Sequence, residues 1–83
     1  MISGRQIFIA RTMLRLPART LTNVTGLPHK LLIRAERSKD QVLTDRQAEA
    51  VQRALEAAGV IFVEENGEGP GVRLRKERLD PGP

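Results

Sequence analysis

The hydrophobic and polar positions of the chain follow a helical period for most of its length. In the segment "TDRQAEAVQRALEAAG", apolar residues recur every three or four positions, at Ala48, Val51, Leu55 and Ala58. This spacing predicts a helix over residues 45–58. Thr44 and Gln47 have the spacing of a capping box at its start, and Gly59 suits the C′ position at its end.

The N-terminal segment predicts a first helix over residues 3–16, with Ser3 as its N-cap. On a helical wheel its apolar side comprises Ile7, Ile9, Ala10, Met13, Leu14 and Leu16, and its polar side comprises Arg11, Thr12 and Arg15. Phe8 falls among the polar residues. Pro17 disfavours helical geometry at the residue before it, and we therefore expect the first helix to end there.

Two shorter helices are predicted next, over residues 17–25 and 28–38. Gly26 lies between them and suits the left-handed conformation that closes a helix. Leu21 and Val24 are expected to face inward from the first of the two. The inward side of the second is expected to comprise Pro28, Leu31, Leu32 and Ala35.

After Gly59 the hydrophobic period changes from that of a helix to that of a strand. The runs "VIFVE" and "VRLRK" are separated by the turn residues of "ENGEGPG". This pattern predicts an antiparallel hairpin of residues 60–64 and 72–76. Residues 77–83 form a polar tail rich in Pro and Gly, which we expect to be disordered. The predicted fold is mainly α, a four-to-five-helix bundle followed by a C-terminal β-hairpin, in one domain over residues 1–76.

Composition narrows the possible functions. A chain of 83 residues without cysteine, with His29 as its one histidine, predicts no metal site and no cofactor. No nucleophile–base pair is evident, so we expect no enzymatic activity. The net charge of +4 favours a polyanionic partner. No apolar run reaches the roughly 18 residues of a membrane span, and the N-terminus is a poor signal peptide, so a cytoplasmic protein is expected.

Most of the candidate functional residues lie in the segment "TGLPHKLLIRAER", residues 25–37. Two short helices joined by a glycine turn within a bundle form a helix-turn-helix, whose second helix enters the major groove of DNA. The outward face of that helix, residues 28–37, comprises His29, Lys30, Ile33, Arg34 and Arg37. Its basic members could contact phosphates and guanine edges, and Ile33 could contact a thymine methyl group. Arg15 and Arg19 are expected to contact DNA phosphates that flank the bases bound by this helix.

The segment Leu43–Lys76 resembles the C-terminal part of small proteobacterial Xre/Cro-type helix-turn-helix transcriptional regulators. "GRQIFIARTML", "LTNVTGL" and "LLIRAE" are similar, in the same order, to upstream parts of that family. The resemblance implies an all-α core, commonly dimeric, that binds double-stranded operator DNA. By position, the resemblance implies that Gly26 is the glycine of the turn. It also implies that Glu36 corresponds to the glutamate at the end of the family's recognition helix. It also implies core positions at Leu21, Val24, Leu27 and Leu32.

An alternative hypothesis keeps the fold and changes the partner. The segment "PAR", residues 17–19, replaces the usual polar opening of the second helix, and Thr22 replaces a small alanine. Phe8 and Ile33 are apolar residues at outward positions, which often mark a protein interface. The protein would then be an antiactivator or co-regulator that binds a transcription activator through Phe8, Ile33, Arg11 and Arg15. A third hypothesis, an antitoxin, combines DNA and protein binding.

Overall fold

The computed structural model describes residues 1–64, 69 and 71–75, and it contains four helices and a two-stranded hairpin in these ranges. The elements are α1 (Gly4–Leu14), α2 (Ala18–Thr25), α3 (His29–Arg37), α4 (Asp45–Ala58), β1 (Val60–Val63) and β2 (Gly71–Leu74). The prediction of a mainly helical fold with a C-terminal hairpin is confirmed. The predicted disordered tail, residues 77–83, lies outside the described residues. No helix of the described part has the length and apolarity needed to cross a bilayer.

The helices begin and end where local chemistry satisfies their terminal backbone groups. The Ser3 hydroxyl accepts from the Gln6 amide at 3.2 Å, and the Ser3 amide donates to Gln6 Oε1 at 2.9 Å. This capping box begins α1. Helix α1 ends two residues before the predicted boundary because Arg15 takes a left-handed conformation, with φ of 55°. The chain thereby leaves the helix ahead of Pro17, which disfavours helical geometry at Leu16.

Two prolines precede helices instead of opening them. Pro17 and Pro28 are the N-caps of α2 and α3, each with extended ψ. The sequence prediction placed both inside the helix and was wrong by one residue, because the fixed φ of proline suits either position. Gly26 ends α2 in the left-handed region, with φ of 80°, and its amide donates to Thr22 O at 2.8 Å.

Replacement of Gly26 by alanine is expected to lower the free energy of unfolding by about 1 kcal/mol, because a Cβ disfavours this conformation. An added Cβ at this position meets nothing within 4 Å, so the cost is conformational and not steric. Urea unfolding measures it. Gly26→Asn, which tolerates left-handed geometry better, is the matched variant and should lose less. Equal stability of the alanine and glycine proteins would contradict the assignment.

The core is built from one face of every helix and the start of the hairpin. Its buried residues are Ile2, Ile7, Ala10, Leu21, Leu32, Ala35, Leu43, Ala48, Val51, Leu55 and Val60. The predicted inward residues Leu21, Leu32 and Ala35 are confirmed. Pro28 is exposed because it precedes α3.

Val24 is a correction to the predicted core, since its side chain is 66% exposed. Ala18 and Leu21 define the buried face of α2. At about 100° per residue, Val24 lies on the far side of Leu21 from Ala18, whereas Thr25 lies between those two. The inward side of α2 therefore continues through a threonine, and Val24 points away from the core.

The hairpin is one residue shorter in each strand than predicted, and β2 begins one residue earlier. The strands are antiparallel, with Val60 opposite Leu74 and Phe62 opposite Val72. Gln6 attaches the hairpin to α1, because its buried Nε2 donates to Gly71 O at 3.1 Å and Val63 O at 3.4 Å. Burial of a glutamine amide requires such partners. The apolar periodicity of α1 gave no indication of this role.

Candidate nucleic-acid interface

The outward face of α3 gathers most of the predicted site residues on one surface. A single shallow concavity is lined by His29, Lys30, Ile33, Arg34 and Arg37. Lys30, Arg34 and Arg37 are exposed, whereas His29 and Ile33 are half-buried. We call this surface, defined by the five lining residues, the α3 face. It forms because the opposite side of the same helix, with Leu32 and Ala35, is buried in the core.

The turn between α2 and α3 is held by side-chain hydrogen bonds. Thr25 Oγ1 donates to Leu21 O at 2.6 Å and accepts from the Leu27 amide at 3.2 Å. Together with the left-handed Gly26, these bonds fix the direction in which α3 leaves the turn. Helices α2 and α3 are thus joined by a short glycine-containing turn, the connectivity expected for a helix-turn-helix.

Helix α1 packs closely against the end of α3. A Cβ built on Gly4 would lie 1.8 Å from Ala35 O, far inside van der Waals contact. Only a glycine permits this approach of the two backbones. The α3 face is thus supported from behind by α1 as well as by α2.

A buried ion pair joins α1 to α3. Arg11 Nε donates to Glu36 Oε2 at 2.8 Å, and Arg11 Nη2 donates to Glu36 Oε1 at 2.9 Å. The exposed fractions of the two side chains are 18% for Arg11 and 4% for Glu36. Arg11 Nη1 also donates to Leu16 O at 3.0 Å, in the segment that leads to α2. One guanidinium therefore holds α1, α3 and the α1–α2 connection together.

The pair changes the roles expected for Arg11 and Glu36. The hydrogen bonds that Arg11 donates to Glu36 are the largest cause that raises the pKa of Arg11 above its ordinary value, so this guanidinium stays charged. The helical wheel placed Arg11 on the polar side of α1, and one hypothesis gave it to a protein partner. In the structure its donors are engaged within the chain. Sequence reasoning missed the pair because its members lie 25 residues apart.

Phe8 lies beside this ion pair and remains 47% exposed. The Arg11 guanidinium carbon is 5.7 Å from the centre of the Phe8 ring, within the range of a cation–π contact. The outward position predicted for Phe8 is confirmed. Part of the ring thus has a partner within the molecule, and part of it faces solvent.

In the part of the chain that the structure describes, the basic side chains of the α3 face form no ion pair with a carboxylate. Glu36 is the one acidic residue of α3, and Arg11 neutralises it. Within the described residues the ion pairs are Arg11–Glu36 and Arg53–Glu49, and neither includes Lys30, Arg34 or Arg37. Residues 1–40 contain eight Lys or Arg and two Asp or Glu, whereas the rest of the chain contains six and eight. The net positive charge is therefore concentrated in the first 40 residues, which contain α1, α2 and α3.

Arg15 and Arg19, predicted on flanking phosphates, are exposed on either side of Pro17 and do not line the α3 face. Two polar atoms of the helix-turn-helix, Thr22 Oγ1 and His29 Nδ1, are buried without a hydrogen-bond partner in the described structure. Because Nδ1 is covered, Nε2 is the ring nitrogen of His29 through which a ligand could be bound.

The described residues contain no group of three or more His, Cys, Asp or Glu side chains placed to hold a metal ion. Comparisons with models of known protein families, with curated proteins and with solved structures found no match to this chain. The α3 face therefore remains the candidate functional site, defined by its geometry and its charge.

Proposed function

We propose that this protein is a cytoplasmic transcriptional regulator that binds operator DNA by inserting α3 into the major groove. The observation that carries the proposal is the α3 face, on which Lys30, Arg34 and Arg37 are exposed together and have no acidic partner among residues 1–64, 69 and 71–75. The major groove, about 12 Å wide, admits one α-helix. A helix that projects cations and is supported by two others has the shape and charge for this groove.

The proposed contacts with DNA are of two kinds: phosphate contacts that orient the protein on the duplex, and base contacts that recognise the sequence. Arg34 is at the centre of the α3 face and is assigned to a guanine edge, where its guanidinium can donate to O6 and N7. Lys30 and Arg37 lie one turn away on either side and are assigned to bases or phosphates. Arg15 and Arg19 are exposed beyond this face and are assigned to neighbouring phosphates. The resemblance to Xre/Cro-type regulators supports the same assignment, with a homodimer on an inverted repeat.

Replacement of Arg34 by alanine is expected to weaken binding to the preferred duplex by about 5- to 150-fold, the loss of one guanine contact worth about 1–3 kcal/mol. Fluorescence anisotropy with a duplex enriched from a random-sequence library measures it. Arg53→Ala is the matched control, since it removes the same charge from an exposed helical position on α4, where the Arg53 side chain is 75% exposed. Equal weakening by the two variants would show a general charge effect and contradict the docking proposed for α3.

The dependence of affinity on salt gives an independent test of phosphate contacts. Each phosphate neutralised by the protein contributes about 0.9 to the slope of log affinity against log salt concentration. If Lys30 binds a phosphate, Lys30→Ala reduces the slope by about 1, whereas Arg53→Ala leaves it unchanged. An unchanged slope for Lys30→Ala would remove Lys30 from the phosphate contacts.

One observation favours a second candidate, an antiactivator that binds a transcription activator. Phe8 is an exposed aromatic residue on α1, beside the Arg11 that binds Glu36 of α3, and such residues are common in protein interfaces. Phe8→Ser separates the two functions. It should leave DNA affinity within about twofold if the α3 face binds DNA, because Phe8 does not line that face. In the second candidate, no duplex is bound preferentially, and Phe8→Ser abolishes transcriptional control.

A further inference from the structure

An apolar side chain lies in the middle of the cationic α3 face. Ile33 is flanked by Lys30 and Arg37, one turn before and after it, and by Arg34 next to it in the sequence. It is half-buried, yet it does not belong to the hydrophobics that pack against the core within the described residues. Lys30, Arg34 and Arg37 line the same concavity, and the aliphatic stems of such side chains can lie against an apolar neighbour. Within the described residues, Ile33 thus lies on the outward face of α3 and is not one of the hydrophobic residues of the core.

This combination of groups restricts the ligand. An isoleucine side chain kept in water is unfavourable unless a partner buries it. The partner must therefore offer an apolar group, and the surrounding cations require that the group be set among anions or hydrogen-bond acceptors. On the major-groove edges of DNA, the methyl group at C5 of thymine is the apolar feature, and guanine and phosphate supply the acceptors.

We infer that Ile33 recognises a C5-methyl group of a pyrimidine in the major groove, next to the base or phosphate contacted by Arg34. The inference rests on the proposed function, which it makes more specific. Thymine carries this methyl group, and cytosine presents the same group in the same place when it is methylated at C5. The shared chemistry is the 5-methylpyrimidine, and the two sources differ in the acceptor or donor at C4.

The inference is tested on the full chain with duplexes enriched from a random-sequence library. At each required thymine, thymine is replaced by uracil, which removes the methyl group and keeps the base-pairing pattern. In a second arm the same position carries cytosine or 5-methylcytosine. For the wild-type protein, loss of one methyl group is expected to weaken binding by about fourfold, the contribution of one buried methyl or methylene group.

Two variants assign the effect to a residue. Ile33→Ala should bind the thymine and uracil duplexes equally, and alanine keeps the helical propensity of α3. Val24→Ala is the matched control, since it also shortens an exposed aliphatic residue of the helix-turn-helix but lies outside the α3 face. It should keep the fourfold preference of the wild-type protein. Circular dichroism of each variant checks that its helices are retained.

Every outcome decides the inference. A preference for the methylated base in both arms, lost in Ile33→Ala, supports it. Equal affinity for thymine and 5-methylcytosine identifies the methyl group alone as the determinant. A preference for thymine over 5-methylcytosine shows that the O4 acceptor of thymine is recognised as well. Equal binding of thymine and uracil by the wild-type protein, or a preference that survives in Ile33→Ala, overturns it. If Arg34→Ala still weakens binding in that case, the proposed function stands. If no duplex is enriched and Arg34→Ala has no effect, both fail.

Discussion

Replacement of Arg11 by methionine is expected to lower the free energy of unfolding by about 3–5 kcal/mol, the cost of breaking a buried ion pair by removing one partner. The reason is that Glu36, whose side chain is 4% exposed, would remain buried without its two donors. Methionine conserves most of the apolar volume of the arginine, so the loss is mainly electrostatic. Urea unfolding followed by circular dichroism measures the change.

Three variants show whether this effect belongs to the buried pair. Arg53→Met breaks the exposed pair with Glu49, whose side chains are 75% and 61% exposed, and should cost about 0.5 kcal/mol or less. Glu36→Gln should cost less than Arg11→Met, since the partly exposed Arg11 can be hydrated. Combining Arg11→Met with Glu36→Leu should recover much of the loss. A loss for Arg11→Met as small as that for Arg53→Met would contradict a stabilising pair between α1 and α3.

Replacement of Gly4 by alanine is expected to lower the free energy of unfolding by about 3 kcal/mol, the upper part of the usual range for overpacking. The added Cβ would lie 1.8 Å from Ala35 O and 2.8 Å from Ala35 C, which are backbone atoms and cannot rotate aside. Helix α1 cannot easily shift to relieve the clash, because Gln6 and Arg11 attach it to the hairpin and to α3. Thermal or urea unfolding measures the change.

Gly71→Ala is the matched control for this prediction. The Cβ added at Gly71 would meet Val63 Cβ at 3.9 Å, an ordinary van der Waals distance. Its stability should therefore stay within about 0.5 kcal/mol of the wild-type value. If Gly4→Ala and Gly71→Ala were equally tolerated, the close approach of α1 to α3 would be wrong. The Gly4→Ala protein should also bind DNA more weakly at temperatures where it is folded, because α1 supports the α3 face.

The elements predicted best from the sequence are those whose ends are set by capping residues next to them in the chain. Helix α4 begins and ends as predicted, because Thr44 and Gln47 form the capping box and Gly59 closes the helix. The boundaries at Pro17 and Pro28 were one residue in error, since the φ of proline does not distinguish an N-cap from a first helical position. Val24 was assigned to the core because it is apolar, although the packing of α2 turns it outward.

The candidate site also has a part that local sequence predicts and a part that it does not. The α3 face could be predicted because all five of its residues belong to one helix, and the helical period alone brings them to one side. The supports of that face could not be predicted. The Arg11–Glu36 pair joins residues 25 apart, and Gln6 reaches carbonyl oxygens 57 and 65 residues away. Such contacts depend on how helices and hairpin pack, which no local pattern specifies.

Amide chemical shifts during titration with the enriched duplex show directly whether α3 docks on DNA through its outward face. We expect saturable changes that are largest at residues 29–37, with smaller changes near Arg15 and Arg19. They should be strongly reduced in the Arg34→Ala protein and by a duplex of unrelated sequence. Changes concentrated on α4 or the hairpin, or small changes that are equal for every duplex, would contradict it.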